Sequence, residues 1–430
     1  MFDKDKKPVV ITSFPRGTIL LNKLMNKLLI QLRIHTLLRT KLFEVRFLTT
    51  SINEAVIVLI YKQPLTDNWS ISAKQLSIDL GGVIIVGRSR KQKIIINTNT
   101  TTTNNINSTD KSTDNTIDIN NIEYIKEILY TNTIHTNNQP LIYYQTEGAF
   151  SQPNASVCTN MIQWVMDLTR PPPTIQQLSG HNSDLSTTPP IAVSGHNSDL
   201  LELYCGGCTF SIPLSYHFRK VIATEMNKTS VELAIHAIHD NNIHNIQIIR
   251  LSSEEFTQAY EQTREFRRLK DAHINLSLYN ITTVLVDPPR AGLDEGTCTL
   301  LTKFQYIIYI SCNPHTLVRD LCILCKTHDI INTAVFDQFP YTDHLECGVY
   351  LTRRVPVPGA GAVTGTSDVR DPLTGTSCRD ADADNDVIPT TVPASSDVRG
   401  SIPGTPTVAA VGTEGTVESV LGKREYDEEA

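Results

Sequence analysis

The chain has 430 residues and a formal net charge of −7, which excludes a strongly basic protein that binds nucleic acid through its overall charge. Its hydrophobic content of 40% is typical of a globular protein. The amino terminus lacks a signal-peptide pattern, no apolar run has membrane-spanning length, and the nine cysteines are scattered. We therefore expect a cytoplasmic protein with reduced thiols and no membrane partner.

Residues 1–146 are predicted to form a smaller α/β domain. Leucines at helical spacing predict a helix and then a strand within residues 17–48, and that strand includes Phe43–Phe47. Further strands are predicted at Ala55–Tyr61 and Val83–Val86. The last of them leads into a basic segment whose charges are Arg88, Arg90, Lys91 and Lys93. On charge alone, such a run is more often a solvated face than an RNA contact.

Three polar segments are predicted to lie outside the packed domains. Residues 97–121 are dominated by Asn and Thr, and roughly 171–198 opens with three prolines and contains the first of two copies of SGHNSDL and most of the second. The histidines of the two copies, His181 and His196, have no accompanying ligand pattern, so a metal site there is disfavoured. Residues 355–430, rich in Gly, Pro, Thr and Ser, are predicted to be a disordered tail.

Residues 147–354 are predicted to form an α/β domain with a doubly wound sheet. From Leu200 onward, short apolar segments alternate with helix-compatible stretches, which is the pattern of such a sheet. The predicted strands are Leu201–Tyr204, Val221–Ala223, Ile246–Ile249, Thr283–Val286, Ile307–Ile310, Thr333–Phe336 and Gly348–Thr352.

A glycine turn, Cys205-Gly206-Gly207-Cys208-Thr209, follows the first of these strands. Glycines after a strand allow the backbone to approach a cofactor closely, and an acid about twenty residues later can accept hydrogen bonds from a ribose. Glu225, at the end of the second strand, is such an acid. The pattern suits S-adenosylmethionine and a dinucleotide equally well.

Two CxxC pairs present a rival interpretation, since four cysteines can hold zinc. Cys205 and Cys208 belong to the glycine turn, however, and Cys322 and Cys325 follow Cys312 in a helical segment. Neither pair has the short knuckle context that zinc sites usually have, so we expect no metal.

Three other strand ends carry chemistry. Asp287 ends one strand and is followed by two prolines that stiffen the loop before Arg290. Cys312 follows the apolar strand Ile307–Ile310, where a parallel sheet presents its catalytic groups. Glu346 ends a segment dense in polar and aromatic residues and is a candidate general base. A buried cysteine is the ordinary alternative for Cys312, but the neighbouring strand ends favour a nucleophile.

The segments DPPRAGLD, IIYISCNPHT and FDQFPYTDHLECGV closely resemble the RNA uracil-5-methyltransferase family. The last segment is most similar to the tRNA branch, which makes 5-methyluridine at position 54 in the T loop. The resemblance covers roughly residues 2–96 and 122–354 and includes SFPRG, KLFEVRFLTT, VGRSRKQKI, ELYCG and EEFTQA.

The resemblance implies a Rossmann-like S-adenosylmethionine-dependent methyltransferase domain, an amino-terminal RNA-binding domain and a tRNA partner. It implies that Cys312 is the nucleophile and Glu346 the base. The cofactor residues it implies are Gln152, Tyr204, Thr209, Glu225 and Asp287. We expect phosphate contacts from the basic segment that begins at Arg88, from Arg264–Lys270 and from Arg290, and we expect a monomer.

The chain departs from the family pattern in two places. The family's cofactor turn usually reads Gly-Asn-Gly-Asn, whereas this chain has Gly206-Gly207-Cys208-Thr209, which predicts weaker cofactor binding. The chain also begins inside the family pattern, so the small domain is expected to be abbreviated or the sequence incomplete. Two alternatives stay open: the same reaction on ribosomal RNA, and an RNA-binding protein whose cofactor turn has decayed.

Overall fold

The computed structural model describes residue 7 and residues 9–98, 124–131, 139–170 and 198–355. Nearly all of the two predicted insertions and of the predicted tail, with His181 and His196, lie outside these described residues. Within the described part, no helix combines the length and the apolar composition needed to span a bilayer.

The amino-terminal part is a four-stranded sheet with helices packed on one face. The helices are α1 (Ile19–Ile34), α2 (Thr36–Arg39) and α3 (Asp67–Asp79), and the strands are β1 (Leu42–Thr49), β2 (Ala55–Tyr61), β3 (Ile84–Ser89) and β4 (Gln92–Ile96). The strand order is β1-β2-β3-β4, with β2 and β3 parallel and the other pairs antiparallel. The predicted basic segment is therefore the hairpin that joins β3 to β4.

A two-stranded antiparallel ribbon connects this sheet to the larger one. Its strands are β5 (Ile125–Leu129) and β6 (Leu141–Gln145), and α4 (Ala155–Thr169) follows. The Asn154 side chain caps α4 by accepting a hydrogen bond from the Val157 N–H, which satisfies a donor of the first helical turn. The ribbon lies beside both sheets, because Ile125 joins the core on the outer face of β2 and β3 while Leu129 and Leu141 join the larger core.

The remaining residues form a seven-stranded sheet. Its strands are β7 (Asp199–Leu203), β8 (Lys220–Thr224), β9 (Ile246–Ile249), β10 (Ile281–Val286), β11 (Tyr306–Ser311), β12 (His328–Phe336) and β13 (Glu346–Arg353). Its helices are α5 (Ser211–Leu214), α6 (Lys228–Asp240), α7 (Ser253–Tyr260), α8 (Arg267–Asp271), α9 (Glu295–Leu301) and α10 (Pro314–Leu324).

The strand order in this sheet is β12-β13-β11-β10-β7-β8-β9, and only β13 runs against its neighbours. The chain moves from β7 outward to β9 and then returns to β10 on the other side of β7. The order therefore reverses between β7 and β10, and ligands of such sheets bind outside the carboxyl ends of the strands at this point. The predicted doubly wound α/β fold is confirmed.

Alternating side chains of the parallel strands enter two separate cores. Leu285, Ile308 and Ile310 pack with α4, α5 and α6 on one face, whereas Val284 and Tyr309 pack with α7, α9 and α10 on the other. Because both faces are covered, these strands are mostly apolar, as parallel strands usually are, and Glu202 of β7 is a buried acid within them. Every predicted strand is present, but β12 begins five residues before the prediction because its polar edge residues hide the strand pattern.

Candidate active site

The turn after β7 contains three residues in the left-handed region. Tyr204 has φ 60°, Gly206 has φ 53° and Cys208 has φ 61°. The Cys208 N–H donates to the carbonyl of Cys205 at 2.8 Å and closes the turn. The predicted problem of a Cβ at position 208 is therefore real, and a left-handed non-glycine residue is strained by about 1–2 kcal/mol. Strain of this kind concentrates at functional sites.

The side chains and the backbone of this turn face opposite ways. Cys205 and Cys208 are buried in the core that contains α4, and their Sγ atoms are 3.8 Å apart. A Cβ added at Gly206 or Gly207 would meet nothing within 4 Å. The glycine backbone of the turn is thus open to a ligand, and the two buried cysteines anchor the turn to the core.

Glu225 and Tyr204 flank the turn. One carboxylate oxygen of Glu225 accepts from the Gly206 N–H at 3.0 Å and the other accepts from the Asn227 N–H at 2.7 Å. The Tyr204 hydroxyl lies 2.6 Å from the Ser253 hydroxyl, and burial raises the pKa of Tyr204 to about 12. Both side chains are held in place at the carboxyl edge of the sheet.

A chain of amides connects the start of α4 to the end of β10. Gln338 Nε2 donates to Gln152 Oε1 at 2.9 Å, and Gln152 Nε2 donates to Asp287 Oδ2 at 3.3 Å. Gln152, Gly207 and Thr209 line a cleft of about 40 Å³. The carbonyl of Thr209 accepts from a tyrosine hydroxyl of β6. Gln152 and Thr209 therefore face one space.

The register of β11 and β13 brings Cys312 and Glu346 together. Ser311 pairs with Cys347 in this antiparallel ladder, so the next pair is Cys312 opposite Glu346. Asp287 follows Val286, which pairs with Tyr309 of β11. The two predicted catalytic residues and one predicted cofactor residue thus meet at a single edge of the sheet.

The electrostatics of this edge favour neutral groups. Burial raises the pKa of Glu346 to about 7, and Glu346 is 2% exposed. Burial and the carboxylates of Glu346 and Glu202 raise the pKa of Asp287 well above its usual range. Burial, Glu346 and Asp287 raise the pKa of Cys312 to about 11, while Arg290 opposes this rise. In the free protein the thiol therefore holds its proton at neutral pH.

Asp320 of α10 anchors the loop that carries Arg290. Its carboxylate accepts from the Leu293 N–H at 2.9 Å and from the Tyr309 hydroxyl at 2.6 Å. Asn313, which caps α10, donates from Nδ2 to the carbonyl of Arg290 at 3.0 Å. These bonds fix the loop after β10 next to Cys312, and they explain how Arg290 comes within electrostatic range of the thiol.

The predicted RNA-contacting residues are spread over several surfaces. Arg88 of β3 forms an ion pair with Glu147 at 2.7 Å, while Arg90 and Lys91 are exposed in the hairpin and Lys93 is exposed on β4. Arg290 is exposed and its Nη1 lies 3.3 Å from His344 Nε2.

The segment Arg264–Lys270 is largely engaged with carboxylates in this structure. Arg267, Arg268 and Lys270 each form an ion pair with a neighbouring acid, and the Arg264 guanidinium lies 4.7 Å from the centre of the Phe266 ring. These contacts reduce the positive charge that the segment presents to solvent.

The four CxxC cysteines do not converge. Cys205 and Cys208 pack on one face of the large sheet, and Cys325 packs on the other. No group of three or more His, Cys, Asp or Glu side chains suited to a metal ion occurs within the described residues. A zinc site built from both pairs is thus incompatible with the fold.

S-adenosylmethionine fits the residues at this edge. The open backbone at Gly206 and Gly207 leaves room for a ligand beside Glu225, whose carboxylate suits a ribose. Glu202 Oε1 and Gln338 Oε1 are buried without a hydrogen-bond partner among the described residues, as expected where a polar ligand binds. A cation bound there would favour the charged forms of the neighbouring carboxyl groups.

Sequence reasoning missed Glu202, Gln338 and Asp320. Each of these side chains is buried. Glu202 is an acid in the middle of an apolar strand, and burial raises its pKa to about 8, so its unusual position was the available signal. Gln338 and Asp320 sit in ordinary local contexts, and only the packing identifies them.

Comparison with known proteins supplies the family. A family model described as tRNA (Uracil-5-)-methyltransferase matches residues 1–118, 101–174 and 190–354. The tRNA/tmRNA (uracil-C(5))-methyltransferase of Saccharophagus degradans is 45% identical over 350 residues, which are 81% of this chain and 80% of that protein. The protein of the same name from Cellvibrio japonicus is 43% identical over the same shares.

A solved structure has the same fold. It is the Pyrococcus abyssi tRNA (uracil-54, C5)-methyltransferase in complex with S-adenosyl-L-homocysteine, with a TM-score of 0.52 and 19% identity. The match covers 82% of this chain and 72% of that chain.

Proposed function

This chain belongs to the tRNA (uracil-5-)-methyltransferase family, and we propose that it methylates C5 of uridine 54 in the T loop of tRNA through a covalent adduct with Cys312. The observation that carries the proposal is the pairing of β11 with β13, in which Cys312 follows directly opposite Glu346 at the edge that also holds the cofactor turn. One thiol and one carboxylate are the two side chains that this reaction needs.

The nucleophile acts first. Uracil C5 is a poor nucleophile, but addition of Cys312 Sγ to C6 moves the electrons of the C5–C6 double bond toward C5 and O4. Because Cys312 holds its proton in the free protein, the thiol must pass that proton to solvent as the bond to C6 forms, and the sulfur regains a proton after it leaves C6. The nearby Arg290 guanidinium is the group that favours the thiolate.

The base completes the reaction. Bound S-adenosylmethionine would supply an electrophilic methyl group to C5 and would leave as S-adenosylhomocysteine. Glu346 then removes the proton from C5, the C5–C6 double bond re-forms, and the bond between Sγ and C6 breaks. A pKa of about 7 suits this role, since an effective base has a pKa near the working pH.

Five residues are proposed to hold the cofactor, as the family pattern implies. Glu225 would accept the ribose hydroxyls, and Gln152 and Asp287 would contact the polar groups of the ligand from the other side of the cleft. Tyr204 and Thr209 flank the glycine turn and would border the same space.

The RNA is proposed to lie across the carboxyl edge of the large sheet and the hairpin between β3 and β4. Arg90, Lys91 and Lys93 of that hairpin, together with Arg290, would contact phosphates, which position the RNA without reading its sequence. Arg88 would do so only by exchanging its ion pair with Glu147. The uridine must leave its stack to reach Cys312, at a cost of roughly a few kcal/mol.

A methylation assay on defined RNAs tests the proposal. Unmodified tRNA transcripts, the same transcripts with cytidine at position 54, and a ribosomal RNA fragment are incubated with the protein and labelled S-adenosylmethionine. We expect label only in the first, mapped to position 54 by nuclease digestion and mass spectrometry. Label in the ribosomal fragment, or at another tRNA uridine, would contradict the T-loop assignment.

A further inference from the structure

Tyr341 occupies a strained position in the connection between β12 and β13. The Thr342 N–H donates to the carbonyl of Phe339 at 3.2 Å, so residues 339–342 form a turn with Pro340 second and Tyr341 third. Tyr341 has φ 63°. A proline followed by a residue with positive φ is typical of a type II turn, whose third position normally holds glycine or asparagine. A tyrosine is therefore unfavourable for the local backbone.

Packing does not compensate for this strain. Tyr341 is 94% exposed, which makes its ring the most exposed aromatic ring among the described residues. Large exposed aromatic side chains contribute little to folding, and strained non-glycine residues cluster where ligands bind. The residue type at this position thus calls for a role outside folding.

Contacts on both sides of Tyr341 hold the turn in place. Arg16 Nη1 donates to the carbonyl of Pro340, and Gln338 Nε2 donates to Gln152 Oε1. The rings of Phe339 and His344 pack edge to face with their centres 5.8 Å apart. The exposed ring is therefore presented from a fixed support.

The turn lies at the edge of the sheet where the chemistry takes place. The connection that contains this turn starts after the carboxyl end of β12 and leads to Glu346, the first residue of β13. His344 in the same connection contacts Arg290, which lies near Cys312. The connection that carries the Tyr341 ring thus also carries His344, which contacts Arg290, and leads into Glu346, which lies opposite Cys312.

We propose that Tyr341 stacks on a nucleobase of the RNA next to the uridine that enters the site. The inference rests on the proposed function. When one uridine leaves the stack, its neighbours lose a stacking partner, and aromatic side chains commonly replace it in RNA-binding proteins. Stacking has two structural requirements, an exposed flat ring and a rigid support for it, and Tyr341 meets both. Stacking does not depend on the identity of the base.

The test measures equilibrium binding of a T-arm hairpin by fluorescence anisotropy and, separately, the KM and kcat of methylation. Tyr341→Ala should weaken hairpin binding and raise KM by about tenfold, about 1.4 kcal/mol, with kcat nearly unchanged. Tyr341→Phe should bind as the wild type does, because the flat ring remains. Binding of S-adenosylmethionine, measured by calorimetry, should be the same in all variants.

Tyr341→Gly separates binding from folding. Glycine adopts the third position of the turn without strain, so this variant should melt at or above the wild-type temperature and yet show the same RNA defect as alanine. Tyr216→Ala is the matched control, since Tyr216 is a half-exposed tyrosine before the amino end of β8, at the opposite edge of the sheet. It should leave hairpin binding unchanged.

Two results would overturn the proposal. Wild-type hairpin affinity in Tyr341→Ala would exclude a contact, and equal defects in the alanine and phenylalanine variants would indicate a hydroxyl contact instead of stacking. A wild-type protein that binds the hairpin but methylates no uridine in it would count against the proposed function alone, because the binding measurement does not require methylation.

Discussion

The strand ends that carry Cys312 and Glu346 differ from the turn that carries Gly206 and Cys208 in the kind of unfavourable energy they hold. At the strand ends the backbone is regular, and the unfavourable term is electrostatic, because acids and a thiol are buried together. In the turn the unfavourable term is conformational, because Cys208 has a positive φ. The first term tunes proton transfer, whereas the second serves no chemical step that we identify.

Removing the nucleophile should produce the largest effect. With 5-fluorouridine-containing tRNA and S-adenosylmethionine, the wild type should form a stable adduct, since fluorine cannot leave as a proton. Cys312→Ala should form none, and its methylation rate should fall by on the order of 10³-fold or more. Denaturing gel electrophoresis shows the adduct as a band of lower mobility. Cys322→Ala, which removes a thiol from α10, is the control, and an adduct in Cys312→Ala would refute the assignment.

Removing the base should slow a later step. Glu346→Gln should lower kcat by roughly 10²–10⁴-fold, and the adduct should accumulate on ordinary tRNA because the C5 proton stays in place. In the wild type, the rate of adduct resolution should rise as pH increases through about 7, where the carboxylate forms. Rapid-quench experiments measure this rate. If Glu346→Gln still released product at the wild-type rate, another group would be the base.

The electrostatic cost at the strand ends should be visible in stability. The pKa of Glu346 is raised from 4.5 to about 7, so the folded state holds a proton that the unfolded state releases between these values. The stability associated with the protonated carboxyl is complete below pH 4.5 and is lost as pH rises through 7. Glu346→Gln should therefore be more stable than the wild type at pH 8 by roughly 1–3 kcal/mol, and much less so at pH 5. Denaturant titrations at pH 5 and pH 8 measure how much the free energy of unfolding differs between the variant and the wild type. The same difference at both pH values would show that the Glu346 carboxylate is well solvated.

Relieving the turn should have the smallest effect. Cys208 has a positive φ without any ligand, so replacing it by glycine should mainly raise stability, by about 1–2 kcal/mol. Cys208→Gly with Thr209→Asn should also tighten binding of S-adenosylmethionine, because the asparagine of the family pattern would line the cleft at position 209. Calorimetry measures the affinity. Gly207→Ala with Cys208 retained tests the open backbone separately and should weaken binding. Unchanged affinity in the double variant would mean that Thr209 serves the ligand as well as asparagine does.

Local patterns in the sequence predicted the strands of the sheet and placed several candidate site residues at strand ends. Apolar runs that end in Glu225, Asp287 or Cys312 identify buried parallel strands, and the carboxyl ends of such strands meet at one edge whatever their spacing in the chain. The positive φ of Cys208 could also be predicted from the sequence, because the family pattern has glycine at this position. The strand β12 was the least complete prediction, because an edge strand with Asn and Thr lacks alternation.

Tertiary structure alone decided which distant groups act on one another. The sequence predicted that Cys312 follows a strand and that Glu346 ends the polar segment before the next one, but the register of β11 with β13 made them neighbours, and burial raised the pKa of Glu346 to about 7. It likewise determined that Tyr341 follows a proline, but only the backbone angle and the exposure of the ring separate it from the other tyrosines. Register, burial and exposure depend on the whole packed chain, because each is a sum of contacts between residues far apart in sequence.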